Sequence, residues 1–426
     1  MKLQPVANPL DAAVFAGRAA SGLSVLVHPI PGRRSVFAAF GTNFGSIDRV
    51  SGANGEPVPE GLAHFLEHKL FEDAAGDVTD RFAALGASTN AMTGFCGTTY
   101  IASTVEQPEA SVDLLLDFVQ DPYFTDELVA KEQGIIAQEI GMYDDDPDWR
   151  VFFELLTSLY AKHPVRDNIA GSVASIAEID AATLRRCYDL FYHPSNMALV
   201  VSGDVQPERI AALVDADQSA RGTDALPAHE RLLEDEPRAR VRERSELRLP
   251  VARPRLLLGV KETVLGGSPQ ELGRRRLATQ VAIDLLFGRS TDTYRALYED
   301  GLIDESFSAS YSSEHSFGFS MIGGETDEPE RLEARVREVL ERARTGDFDT
   351  DGLKRTRARL TGGLLRASDS AESVSYGLLS AHFRGVAPFS ALDWIQQLSA
   401  DELRARLAEH LDPEALSVCV LRPEEP

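Results

Sequence analysis

A polar, charged stretch from Gln218 to Glu246, broken by Pro227 and Pro237, divides this chain into two halves that run through the same order of elements. In the first half, the short apolar runs Leu23–Val27 and Val36–Phe40 read as strands. A helical pattern follows near Gly61–Phe71. Ser88–Thr93 and Thr98–Thr104 read as a hairpin pair around Gly94–Gly97. Helical periodicity covers Gln107–Val119, Thr125–Tyr143, Trp149–Tyr160 and Ala181–Tyr192. Met197–Ser202 reads as a strand, and another helix starts at Pro207. The second half opens with a strand at Arg255–Val260 and helices at Gln270–Phe287 and Thr291–Glu299. Strands Ser306–Tyr311 and Phe317–Ile322 come next, then helices over Glu328–Arg344, Asp351–Ala367, Glu372–Phe383 and Asp393–Leu411, and a last strand at Leu416–Leu421. A chain of 426 residues is also too long for one hydrophobic core. The expectation is an α+β protein of two tandem homologous domains, each a mainly antiparallel sheet flanked by helices. The boundaries are 1–220, a linker at 221–246, and 247–426.

The formal net charge of −24 argues against nucleic acid and anionic membrane as partners, because both repel a chain this acidic. No run of eighteen apolar residues occurs, so no membrane span is expected. Residues 1–11 lack the basic and apolar regions of a secretory signal. Cys96, Cys187 and Cys419 are odd in number and far apart. No zinc ribbon or disulfide framework is legible, and a reducing cytoplasm is the expected location.

The segment His64-Phe65-Leu66-Glu67-His68 carries the chemistry. Residues four apart lie on one helix face, so His64 and His68 can present both imidazoles to one metal. Glu67 falls beside that pair, within reach of a water on the metal. Two histidines, a carboxylate and an open water position suit Zn2+. The order is the inverted form of the His-Glu-x-x-His peptidase motif. Only nine histidines occur in the chain, so two at this spacing around a glutamate carry weight. Downstream, Glu132 and Glu139 are seven apart on a helical pattern and share a face, while Ile135, Ile136 and Ile140 are expected to seat that helix in the core. Two readings of these acids stand: a solvated stripe, or carboxylates aimed inward that need a partner such as a metal.

These segments together resemble the pitrilysin family (M16), which includes pitrilysin, insulin-degrading enzyme and the mitochondrial processing peptidases. The resemblance rests on His-x-x-Glu-His followed by Glu132 and Glu139. It extends through Gly45-Ser46, Gly61-Leu62-Ala63, Ser88–Thr93, His163-Pro164, Tyr192–Met197 and Gly203-Asp204-Val205. His68–Glu72 and Met142–Arg150 are similar to the small bacterial members, about half the length of pitrilysin. The resemblance implies that His64, His68 and Glu139 are zinc ligands and that Glu67 is the general base. It implies that Glu132 orients a ligand, His68 being the candidate. It also implies that Asn90, Ala91 and Met92 form an edge strand to which a peptide substrate adds by main-chain hydrogen bonds. The expected architecture is a clamshell half, and the expected activity is hydrolysis of extended or unfolded peptides inside an enclosed chamber.

One departure from the family pattern matters. Its second half usually carries an arginine and a tyrosine about seven apart that bind substrate and the developing oxyanion. Here Tyr298 stands near the arginine position and Asp304 near the tyrosine position, with Arg295, Tyr294 and Tyr311 as local stand-ins. The second half has no His-x-x-Glu-His and is expected to bind no zinc. The resemblance therefore implies a two-chain enzyme, in which a second M16-like subunit supplies the Arg/Tyr pair, or a homodimer. Competing readings are a non-catalytic assembly or scaffold subunit and a processing factor dedicated to one partner protein.

Overall fold

The computed structural model describes residues 1–51, 56–74, 76–222, 231, 235–349 and 351–424. Its first sheet holds β1 (Gln4–Pro5), β2 (Phe15–Arg18), β3 (Ser24–Pro29), β4 (Val36–Thr42), β5 (Ala87–Thr93), β6 (Thr98–Thr104) and β7 (Met197–Gly203), in the order β1-β2-β3-β7-β4-β6-β5. Only the β3·β7 pair is parallel. The second sheet holds β8 (Arg244–Leu249), β9 (Arg255–Lys261), β10 (Ser308–Ser313), β11 (Gly318–Glu325) and β12 (Leu416–Pro423), in the order β8-β12-β9-β11-β10. Again one pair, β8·β12, is parallel. The five strands β3-β7-β4-β6-β5 and β8-β12-β9-β11-β10 thus share order and orientation. The repeat expected from element order exists at the level of hydrogen-bonded topology, and the mainly antiparallel α+β class holds.

The burial of each strand follows its place. Central β4 and β7 are buried along their whole length and read as apolar runs, as strands covered on both faces must. Edge strand β5 alternates exposed and half-buried residues. On one face of the first sheet lie α1 (Leu62–Leu70), α2 (Val78–Ala84) and α3 (Pro108–Gln120); α1 packs on β5 and β6, and α3 on β6 and β4. The longer helices α4 (Asp126–Asp145), α5 (Pro147–Leu159), α6 (Ala181–Phe191) and α7 (Pro207–Arg221) follow in the first half of the chain.

The compact units are not the contiguous domains expected from sequence. The first comprises Met1–Ile140, Asn168–Leu232 and Leu364–Ser390, and the second comprises Gly141–Asp167, Leu233–Gly363 and Ala391–Pro426. Of the second-half helices α8 (Pro269–Phe287), α9 (Asp292–Glu299), α10 (Pro329–Arg344), α11 (Gly352–Ala367), α12 (Ala371–Phe383), α13 (Ala391–Gln397) and α14 (Ala400–His410), α12 covers the second face of the first sheet. Its Val374, Leu378 and Leu379 pack with Leu26, Phe37, Ala39, Ala198 and Val200. Conversely, α5 of the first half packs on β8, β9 and β12 of the second sheet. The contact is built alike in both units. A Cβ on Gly41 in β4 would stand 2.9 Å from a Leu379 methyl, and one on Gly259 in β9 would stand 2.8 Å from a Leu155 methyl. Glycine at these equivalent positions lets each helix approach its strand closely.

The stretch expected as a linker is largely built into the fold where it is described. Residues 223–230 and 232–234 lie outside the described residues. Arg221 ends α7, and Arg244 begins strand β8. Glu236 accepts from the backbone amides of Ala161, Lys162 and His163 and pairs with the buried Lys261. Arg231 donates to both Asp48 carboxylate oxygens, to the Asn43 side chain and to the Cys96 carbonyl. Among the described residues, no helix is long and apolar enough to cross a membrane.

Candidate metal centre

Helix α1 starts at Gly61, whose φ of 82° lies in the left-handed region; a Cβ there would collide with the Ala170 carbonyl. Leu62, Ala63, Phe65, Leu66 and Leu70 are buried and fix the helix against β5 and β6. That anchoring leaves His64 and His68 side by side, with ring centroids 4.5 Å apart. Helix α4 brings in the acids. Val129, Glu132, Ile136 and Ile140 are its buried residues, and Gln133 donates to the carbonyls of Ile176, Ala177 and Ile179. Ile135, expected in the core, is exposed, because the helix turns one face inward and position 135 lies off it.

The residues singled out from sequence converge. His64 Nε2 lies 3.7 Å from Glu139 Oε1, and His68 Nε2 lies 3.5 Å from Glu139 Oε2. One ligand atom from each of the three falls within 4.8 Å of the others. Donors about 2.0–2.1 Å from a tetrahedral zinc stand roughly 3.4 Å apart, and the two histidine–carboxylate contacts of 3.7 and 3.5 Å are near that value. The chemistry of the donor set, two imidazoles and a carboxylate, fits as well. Glu132, only 5% exposed, accepts at Oε1 from His68 Nδ1 at 3.0 Å. This fixes the ring with Nε2 toward Glu139. His64 Nδ1 is buried with no hydrogen-bond partner among the described residues.

The electrostatics suit cation binding. Burial and the neighbouring His68 lower the pKa of His64 to about 4, so the ring is neutral at pH 7, the form a metal ligand requires. At His68, burial opposes the charged form, but the Glu132 hydrogen bond and the surrounding carboxylates prevail and raise its pKa. Glu67 is raised by burial and by Glu139, against the Thr93 hydrogen bond and His68. Behind Glu132 lies Lys69, fully buried on α1. Its ammonium pairs with Glu72, which also accepts from Lys131 at 2.7 Å, and stands 3.9 Å from Glu132. Burying these charges is tolerable because each is paired.

Asn90, Ala91 and Met92 lie on edge strand β5, which pairs only with β6 among the described residues. Asn90 and Met92 are exposed, and Ala91 and Thr93 alternate to the other face. Thr93, to which sequence reasoning gave no role, donates to Glu67 Oε2 at 2.5 Å. The period-2 alternation of the strand was the available signal. In the second unit, Asp304 is committed to Arg253 at 2.6 Å. Tyr298 is 55% exposed and stacks on Tyr294, Arg295 pairs with Asp292, and Tyr311 is buried with its hydroxyl on Glu262.

Comparisons with known proteins bear on this geometry. Residues 51–173 match the family profile described as insulinase (peptidase family M16), and residues 178–360 match that of the peptidase M16 inactive domain. The chain is similar to YmfH of Bacillus subtilis (strain 168), described as an uncharacterized zinc protease. Identity is 38% over 97% of this chain and 98% of the relative. The crystal structure of an M16-like peptidase from Alicyclobacillus acidocaldarius matches with a TM-score of 0.94 and 37% identity, over 98% of this chain and all of that one (100%). A protease from Helicobacter pylori shares the fold at a TM-score of 0.84 and 18% identity, covering 97% of this chain and 100% of that one.

Proposed function

The chain belongs to the M16 peptidase family, and from that premise we propose that it is a zinc-dependent endopeptidase acting on extended or unfolded peptides. The observation that carries the reading is the approach of His64 and His68 to Glu139 within 4.8 Å, with Glu67 on the same helix beside them. In this reading His64, His68 and Glu139 hold the ion, and Glu132 keeps His68 in the ligating orientation. Bound zinc supplies Lewis acidity toward the scissile carbonyl and makes the attacking water more acidic. Glu67 takes the water's proton on the carboxylate oxygen not bonded to Thr93 and passes it to the leaving amine. The edge of β5 at Asn90–Met92, which pairs with no second strand among the described residues, receives the substrate backbone as an added strand once the Asn90 side chain yields the Ala91 amide it accepts from, and this selects extended chain over side-chain identity. The second profile match, to an inactive domain, agrees with a second half that carries no His-x-x-Glu-His.

We also propose that full activity needs a second M16-like subunit or a second copy of this chain. The residues at the Arg/Tyr positions, Tyr298 and Asp304, cannot act as such a pair, and of the stand-ins Tyr311 is buried. A cytoplasmic setting is part of the proposal and rests on the sequence alone, in which Cys96, Cys187 and Cys419 are odd in number and far apart. The test is zinc content and cleavage of a mixed-peptide library by the native chain, alone and with a co-purified partner, beside Glu67→Gln and His68→Ala. The expected result is that Glu67→Gln keeps zinc and loses turnover, and that His68→Ala loses zinc. A fully active Glu67→Gln variant, or a zinc-loaded native chain inert in every combination, sinks the proposal.

A further inference from the structure

We propose that Thr93 is a positioning residue that ties the substrate-accepting edge strand to the Glu67 carboxylate. This rests on the peptidase reading above and names a residue that the reading does not include. Thr93 is the last residue of β5, and its hydroxyl has one hydrogen to give. The 2.5 Å contact with Glu67 Oε2 claims it, because an ionised carboxylate is a stronger acceptor than the Thr98 hydroxyl 3.3 Å away. Thr98 spends its own hydrogen on the Phe44 carbonyl at 3.0 Å, and its backbone pairs with Thr93 in the β5·β6 register. The Thr93 backbone is therefore held by its pairing with β6, and its hydroxyl is aimed at Glu67 on α1. One carboxylate oxygen of Glu67 is thereby fixed, and the other is left to handle the proton of the attacking water.

The connection runs along the strand. Asn90 and Met92 face outward, while Ala91 and Thr93 face α1, which packs on β5. A peptide that adds to the β5 edge orders the backbone at Asn90–Met92, and Thr93 is the next residue. Docking of an extended chain and orientation of the base therefore share one rigid segment.

The experiment compares Thr93→Val and Thr93→Ser in the zinc-loaded full-length chain. Valine keeps the branched shape that suits a strand and removes the donor; serine keeps the donor. The expected result for Thr93→Val is a kcat lower by about 10- to 100-fold, the range for losing a hydrogen bond to a charged group. KM and zinc content stay near native, Thr93→Ser recovers most of kcat, and a crystal structure of Thr93→Val has the Glu67 carboxylate turned from its native position. If the native chain cleaves peptides and Thr93→Val does so at the native kcat, the inference is overturned and the peptidase reading stands. If the native chain cleaves nothing, alone or with a co-purified partner, the peptidase reading fails, and the crystal structure alone decides: an unmoved carboxylate overturns the positioning role, and a displaced one supports it.

Discussion

The contact between Glu132 and His68 offers the sharpest quantitative test of the site. Glu132 Oε1 accepts from His68 Nδ1 at 3.0 Å, and its other oxygen faces the Lys69 ammonium at 3.9 Å. A hydrogen bond to a charged group contributes about 1.5–3 kcal/mol, roughly twice a neutral one. Glu132→Gln keeps an acceptor of the same shape but loses the charge. It should forfeit about half of that contribution, which weakens zinc binding about 3- to 10-fold. Glu132→Ala removes the bond altogether and should weaken binding about 10- to 150-fold, overlapping the range seen when partners behind metal-ligating histidines are removed. Lys69 retains Glu72 in both variants, so its charge stays paired. Zinc affinity is read by competition with a chromophoric chelator at fixed pH, with His68→Ala as the floor. Thermal unfolding with zinc and with excess chelator separates metal binding from intrinsic stability; each tenfold loss of affinity removes about 1.4 kcal/mol of zinc-dependent stabilisation. Native affinity in both variants would refute the idea that Glu132 holds His68 for the metal.

Two further perturbations follow from the packing. Gly61→Ala places a methyl against the Ala170 carbonyl at a backbone conformation that L residues avoid, and should cost about 2–4 kcal/mol in a denaturant titration and loosen zinc through a displaced α1; a native unfolding midpoint would remove Gly61 from the account of the site. In the second unit, burial disfavours the Glu262 carboxylate, but His410, Arg406 and the Tyr311 hydroxyl hold its pKa at about 2. A depressed folded-state value means stability present above the ordinary carboxylate range and lost as pH falls from about 4.5 towards 2, amounting to about 3 kcal/mol for this group. Unfolding free energies measured across pH 5 to 2 should decline less steeply in Glu262→Gln than in the native chain, and parallel curves would contradict the assignment.

Much of this organisation is legible in the sequence. The periodicity of α1 and α4, the pairing of β5 and β6, and the spacing of His64, His68, Glu132 and Glu139 are local patterns that side-chain direction alone fixes. Other features depend on contacts that no local pattern encodes. Arg244–Leu249 was hidden as a strand because an edge position leaves its charged residues solvated, so the segment looks like linker. The helical pattern over Asp393–Leu411 breaks at Leu398-Ser399, where Ser399 accepts from the Glu402 amide and starts a new helix. Nothing in the periodicity of α5 or α12 says which sheet each will cover, since an apolar stripe specifies a face and not an address. Arg231 and Asp48 meet across the chain by the same kind of tertiary choice, and Ile135 shows that even a strong apolar triplet does not decide which two members are buried.

The reciprocal placement of α5 and α12 governs how such a chain can be made. A ribosome that has released β7 has delivered every strand of the first sheet, yet the helix that shields one of its faces is still to be translated. At about 5–20 residues per second that apolar face waits several to tens of seconds for cover. The nascent chain is therefore a natural client for holding chaperones. A gene cut between the two halves would yield two sticky fragments that become protected only by meeting each other.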